Sequence, residues 1–83
     1  MEIIRRNTDY AIRALVHLAI NLGQVVSAGE IAASQEVPID FLQKILQKFV
    51  RQGLVQSHRG IQGGFSLSRD PSQVTVLEIV EIM

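Results

Sequence analysis

The segment 27–53 constrains the fold most, because it carries two helix signals that are separated by only a short turn. Ser27 and Glu30 have the spacing of a capping box, which satisfies free amides at the start of a helix. Residues 35–38 form the turn, and Pro38 is tolerated there because the first N–H groups of a helix have no intrahelical partner. Gly53 ends the second, longer helix. Short helix, short turn and longer helix together predict a helix-turn-helix.

The longer helix, which we expect over residues 39–52, is amphipathic. At roughly 100° per residue, its apolar and polar side chains fall on opposite halves of the cylinder. The apolar half consists of Phe41, Leu42, Ile45, Leu46, Phe49 and Val50. The polar half consists of Asp40, Gln43, Lys44, Gln47, Lys48 and Arg51. A helix of this composition that is followed by a basic loop is typical of DNA-reading domains.

The formal net charge is zero, but the charges are divided along the chain. The segment 41–69 has no acidic residue, whereas the tail 70–83 has three acidic residues and no basic one. The basic residues of the segment are Lys44, Lys48, Arg51, Arg59 and Arg69. Because the distribution of charge matters more than its sum, the middle of the chain favours double-stranded DNA as a partner.

Gln43, Lys44 and Gln47 are the candidate base-reading residues of the longer helix. Glutamine can pair with adenine through two hydrogen bonds, and lysine can contact guanine or phosphate. The alternative is that these side chains only face solvent, as Gln and Lys do on many helices. The same alternative applies to the candidate phosphate contacts, which are Arg5, Arg6 and Lys48.

Two short alternating segments, 54–58 and 65–68, predict a β-hairpin after the longer helix. The loop 59–64 between them has three glycines, which allow a sharp turn and a close approach to another surface. Arg59 begins this loop, and an arginine at such a place can enter a narrow minor groove. An ordinary hairpin arginine is the alternative.

Apolar helices flank this central part on both sides. We expect the first to begin at Asn7 or Thr8 and to be covered by its own domain on one side and by a partner subunit on the other. On its polar strip, we expect Asp9 to cap the helix and His17 to be solvated or at an interface. A second capping box at Thr75 begins the final helix.

Several short segments carry a family resemblance. They are TDYA at 8–11, IA at 31–32, FLQKIL at 41–46, GLV at 53–55, the serine at 57, RG and GGF within 59–65, and LEIV at 77–80. In this order and spacing they resemble the Rrf2 family of bacterial winged helix-turn-helix regulators, which includes the iron–sulfur cluster regulator and the cysteine-metabolism repressor.

The resemblance implies one mainly α domain over residues 1–83 with a small β-hairpin wing, a winged helix-turn-helix. It also implies a transcription regulator, a repressor that binds an inverted-repeat operator as a homodimer. The family's recognition-helix and wing positions then complete the predicted DNA-binding set. That set is Phe41, Gln43, Lys44, Gln47, Lys48, Arg59, Gly60, Gln62 and Gly63.

Family members continue into a long dimerisation helix, often preceded by three cysteines that bind an iron–sulfur cluster. The sequence has no cysteine, so we expect no cofactor, disulfide or metal site in this chain. The long helix is missing from residues 1–83 as well, so we expect the family's dimerisation helix and sensor region to be absent or truncated. No apolar run approaches the roughly 20 residues of a membrane span, so we expect a cytoplasmic protein without membrane contact.

Other functions fit the sequence less well. A phosphate-cradling loop needs a helix N-terminus beside it, but the glycine loop lies between two strands. The serines lack a nucleophile elbow, so we expect no enzyme. The remaining alternative is a winged module that binds protein through the same surface without direct DNA reading, and a weak dependence of binding on salt would favour it.

Overall fold

The computed structural model describes residues 2–83, with side chains from Arg6 onward, so the side chain of Arg5 lies outside the description. In these residues four helices and a two-stranded antiparallel hairpin follow one another, which confirms the predicted fold class. The elements are α1 (Glu2–Ile20), α2 (Ala28–Gln35), α3 (Ile39–Arg51), β1 (Val55–His58), β2 (Gly64–Leu67), a 3-10 turn (Pro71–Gln73) and α4 (Val76–Ile82).

The helix-turn-helix begins and ends where the local signals predict. The Oγ atom of Ser27 accepts from the Glu30 amide at 3.1 Å and caps α2. Glu36 then adopts a left-handed conformation with φ of +54°, which turns the chain towards α3. Pro38 precedes α3 without a side-chain cap, and Gly53 follows it with φ of +78°.

The prediction that α1 begins at Asn7 or Thr8 is wrong. The helix begins at Glu2 and runs through both residues, because the segment 2–8 contains neither glycine nor proline to stop it. Asp9 therefore lies inside the helix and is not a cap. Its carboxylate pairs with Arg13 one turn later, at 3.1 Å.

The hairpin has a third partner that the sequence did not predict. β1 and β2 pair in register from Val55 with Leu67 to His58 with Gly64. Val26, just before α2, forms an isolated antiparallel bridge with Phe65, with both N–H···O distances at 2.8 Å. A Cβ atom on Gly64 would lie 2.4 Å from the Val26 oxygen, so only glycine permits this approach.

One core joins the helices to the hairpin. Its fully buried large side chains come from α1, α2, α3, the β1 strand and the residue before it: Leu18, Ile31, Leu42, Leu46, Phe49, Leu54 and Val55. Ile79 of α4 is also buried in it. Asp70 caps the 3-10 turn. The Ser72 amide donates to the Asp70 carboxylate, and the Ser72 hydroxyl does so as well. These two bonds, the amide bond more than the hydroxyl bond, lower the pKa of Asp70.

Candidate nucleic-acid interface

The polar half of α3 is open to solvent. Because Leu42, Ile45 and Phe49 are held in the core, the opposite side of the helix must point outwards. A shallow depression along this side is lined by α3 residues alone, so no other described element covers it. The lining residues are Asp40, Gln43, Lys44, Gln47, Lys48 and Arg51. Lys48 is half-buried, and the other five are exposed.

Phe41 does not belong to the buried half of α3, although its spacing suggested this. Its side chain is 48% exposed. The ring packs against Tyr10 of α1, with ring centroids 6.2 Å apart and planes inclined by 59°. Phe41 therefore presents an apolar ring beside the polar half of α3.

A tight turn forms the tip of the hairpin. The Gly63 amide donates to the Gly60 carbonyl at 3.0 Å, which closes a four-residue turn through Ile61 and Gln62. Gly60 has a φ of +108°, a conformation that other residues rarely adopt. A Cβ atom on Gly63 would lie 2.5 Å from the His58 oxygen. Both glycines are therefore needed for the shape of the turn.

The predicted wing residues surround this turn. Arg59, Gly60 and Gln62 are exposed, whereas Gly63 is half-buried against the backbone of the loop. At the base of the wing, Nε2 of His58 and Oγ of Ser66 are hydrogen-bonded at 2.7 Å across the two strands. This contact joins the last residue of β1 to β2, directly before the loop.

Arg69 is separate from the other basic residues of the segment 41–69. Its guanidinium donates to the Glu78 carboxylate on α4, and both side chains are partly buried. Arg69 thus joins the chain after the wing to the last helix. The five basic residues of the segment do not act as one group, and Arg69 is already engaged within the domain.

A polar contact between α1 and α2 was missed by sequence reasoning. Arg13 donates to the main-chain oxygen of Gln35 at 3.2 Å, and the Gln35 side-chain amide lies 3.2 Å from Nδ1 of His17. Nε2 of His17 lies 3.6 Å from Glu30. His17 is only 9% exposed, so of its two expected roles, solvated or at an interface, the solvated one is wrong. The spacing of Asp9, Arg13 and His17 on one helical strip was the available signal.

The family resemblance implies iron, which proteins hold through cysteine, histidine or carboxylate side chains. The sequence has no cysteine, and among the described residues no three His, Asp or Glu side chains come together as metal ligands would. Residues 2–83 therefore do not fit an iron site by themselves. Over the same residues, no helix has the length and apolar character needed to cross a membrane.

The order of elements defines the class of this domain. Three helices containing a helix-turn-helix are followed by a hairpin, and the Val26 bridge supplies a short third strand at its edge. This is the architecture of a winged helix-turn-helix, with α3 in the position of the recognition helix.

Comparisons with known proteins agree with this class and narrow it. The model of the Rrf2 family, described as an iron-dependent transcriptional regulator, matches residues 4–83. The chain belongs to the Rrf2 family. Because this is a family of transcriptional regulators, the prediction that the chain is not an enzyme is confirmed.

Individual relatives cover most of this chain. The transcriptional regulator IscR of Cereibacter sphaeroides is 36% identical over 75 residues, which are 87% of this chain and 48% of IscR. NsrR of Bacillus licheniformis is 31% identical over 74 residues, 88% of this chain and 50% of NsrR. The solved structure of T. potens IscR superposes with a TM-score of 0.87 at 32% identity, over 93% of this chain and 57% of that chain. The chain spans about half the length of the curated relatives it matches.

Proposed function

We propose that this domain is the DNA-reading part of a transcription regulator, with α3 in a major groove and the wing at the adjacent minor groove. The observation that carries the proposal is the open polar side of α3. Its amide and lysine side chains are covered by no other part of the described chain. The family supports the proposal, because its members are transcriptional regulators.

The residues of α3 divide by chemistry. Gln43 and Gln47 are exposed amides four residues apart on one side of the helix, which suits hydrogen bonds to base edges. Lys44 lies beside them and can reach guanine or phosphate. Half-buried Lys48 is the better phosphate contact, because a half-buried lysine can lay its stem along the protein and keep its ammonium group in solvent. Phe41 presents an apolar ring that suits a thymine methyl group.

The wing adds a second contact. Arg59 is exposed at the end of β1, where its guanidinium can enter a narrow minor groove and respond to its negative potential. Gly60 and Gly63 hold the turn in its tight shape, and exposed Gln62 lies at the tip. Together, Arg59 and α3 would contact neighbouring grooves of one half-site.

We further propose that the protein acts as a homodimer and binds an inverted-repeat operator. An apolar groove lies between α1 and α4, and Val16 and Val76 on its two sides are 48% and 64% exposed. Leu77 and Val80 of α4 extend this apolar surface. Exposed apolar side chains that cluster in this way suit contact with a second copy of the chain.

A dimer that held its two copies of α3 about 34 Å apart, one turn of DNA, would fit a palindromic site. A protein that occupies such an operator can block transcription, so we propose that it acts as a repressor. We propose the cytoplasm as its location.

Selection of binding sites from random duplex DNA tests the proposal. We expect the purified protein to enrich one sequence motif that occurs as two inverted half-sites centred about one helical turn apart. Enrichment of single half-sites would contradict the dimer but not DNA reading. No enrichment at low salt would contradict DNA reading and favour a protein-binding wing.

A charge in the apolar groove tests the dimer separately. Val16→Glu places a carboxylate on the groove surface of α1, so we expect sedimentation at several concentrations to show a shift towards monomer. Ala33→Glu, which adds the same carboxylate at an exposed position of α2 outside the groove, is the control and should leave the sedimentation profile unchanged. Equal profiles for the two variants would remove this groove from the dimer interface.

A further inference from the structure

The side chain at the tip of the wing is apolar and has no contact that explains it. Ile61 is 106% exposed, more than any other large hydrophobic residue of the described chain. It belongs neither to the core cluster nor to the partly buried side chains packed against it. The predicted DNA-binding set did not include it.

The turn holds Ile61 in this outward position. The bond from the Gly63 amide to the Gly60 carbonyl closes the turn around Ile61 and Gln62. The positive φ of Gly60 and the close approach of Gly63 to the His58 oxygen make glycine necessary at both positions. The tip is therefore an apolar projection carried on a hydrogen-bonded turn.

The surroundings of Ile61 indicate what it contacts. Its neighbours in the loop are Arg59, Gln62 and glycines, with no acidic residue. Of the other exposed apolar side chains, Val16 and Val76 line the groove between α1 and α4. A protein interface needs many apolar contacts together, and the wing tip offers one. An isolated apolar projection beside an arginine suits the minor groove, where proteins insert single apolar wedges between base pairs.

We propose that Ile61 is a specificity-determining wedge that enters the minor groove next to Arg59 and partly unstacks one base step. This inference rests on the proposed DNA-reading function. Pyrimidine–purine steps such as TA and CA unstack most easily, so the wing selects a flexible step at a position it does not hydrogen-bond. The guanidinium of Arg59 supplies the charge, and Ile61 supplies the deformation.

Substitutions at Ile61 test the wedge without disturbing the fold, because its side chain touches no core residue. Binding is measured on the duplex that the wild-type protein selects, with 2-aminopurine placed at the flanking step and dyes at both ends to report bending. For the wild type we expect higher 2-aminopurine fluorescence on binding and a shorter distance between the dyes.

Ile61→Ser should lose the fluorescence increase and the bend, and should weaken binding by roughly tenfold. Ile61→Leu keeps an apolar side chain of equal size and should retain all three properties. Replacing the flexible step by a GC step should weaken wild-type binding and abolish the difference between wild type and Ile61→Ser. Gln56→Ala, at an exposed position of β1 outside the turn, is the control and should keep the fluorescence increase.

Three results would overturn the wedge. The first is unchanged fluorescence, bend and affinity for Ile61→Ser. The second is a loss in Ile61→Leu equal to that in Ile61→Ser. The third is a change in sedimentation rather than in DNA binding, which would place Ile61 in a contact between proteins. Failure of the wild-type protein to bind any duplex is a different result, because it overturns the DNA-reading function itself.

Discussion

Nη1 of Arg13 on α1 donates to the main-chain oxygen of Gln35, the last residue of α2, across 3.2 Å. Carbonyl groups at a helix C-terminus carry partial negative charge, so a guanidinium there is favourable. Gln35 is also held through its side-chain amide, which is hydrogen-bonded to Nδ1 of His17. Because Gln35 directly precedes the left-handed turn at Glu36, α1 fixes the point from which α3 departs. The direction in which α3 presents its polar half thus depends on α1.

Arg13→Ala should therefore loosen the attachment of α2 to α1. We expect a loss of about 0.5–1.5 kcal/mol in the free energy of unfolding, the usual net value of one such hydrogen bond, measured by denaturant titration. Asp9→Asn removes the exposed ion pair to Arg13 but keeps the bond to Gln35, and should cost less than about 0.5 kcal/mol. Equal losses in the two variants would show that the Gln35 contact is not what stabilises this region.

Gly64→Ala should break the contact between the hairpin and the strand before α2. The new Cβ atom would lie 2.4 Å from the Val26 oxygen, so the Val26–Phe65 pairing must open. We expect a loss of about 1–3 kcal/mol in thermal or chemical unfolding. Gly29→Ala is the control within α2. A Cβ atom there would meet only Ser27 Oγ, at 4.0 Å, so the change should be neutral or stabilising by up to about 1 kcal/mol. An unchanged Gly64→Ala protein would contradict the close approach of Val26.

Gln43→Ala tests base reading by α3. We expect the variant to lose about 1–3 kcal/mol of discrimination at one position in each half-site, measured by competition between duplexes that differ at single base pairs. Gln52→Ala removes an equally exposed amide just beyond the end of α3 and should leave base preference unchanged. A uniform loss of affinity across all sequences would show that Gln43 does not read bases.

Arg59→Ala tests the minor-groove contact of the wing. Removing the guanidinium should weaken operator binding and flatten the preference for A·T pairs at the flanking positions, because narrow A·T grooves attract arginine most strongly. Competition binding with flanks of A·T or G·C composition measures both effects. Unchanged affinity and unchanged flank preference would remove Arg59 from the mechanism.

The parts of the fold that depend on neighbouring residues could be predicted from the sequence. The cap at Ser27, the end of α3 at Gly53 and the two halves of α3 follow from local chemistry and helical spacing. The Val26 bridge could not be predicted, because a single pair of residues far apart in the chain leaves no periodic pattern. The start of α1 was misplaced because Asn7 and Thr8 can cap a helix but cannot stop one that is already running.

Side-chain partners across the domain were equally hidden from the sequence. Arg69 counted as part of the basic middle segment, yet the fold brings Glu78 of α4 against it. Phe41 has the spacing of a core residue but lies at the edge of the helix, where Tyr10 covers only part of its ring. Charge and periodicity show which residues are available, whereas tertiary packing decides which of them remain free.

The central claim is that the open side of α3 and the wing form one DNA-binding surface. The dependence of duplex DNA binding on salt tests this claim most directly. The logarithm of the binding constant should fall linearly with the logarithm of salt concentration, with a slope of about 0.9 for each phosphate contacted. Lys48→Gln should reduce the slope by about 0.9 for each subunit bound. Arg69→Gln, which removes a basic residue already paired with Glu78, should leave the slope unchanged. A flat salt dependence, or equal slopes for wild type and Lys48→Gln together with a reduced slope for Arg69→Gln, would contradict the account.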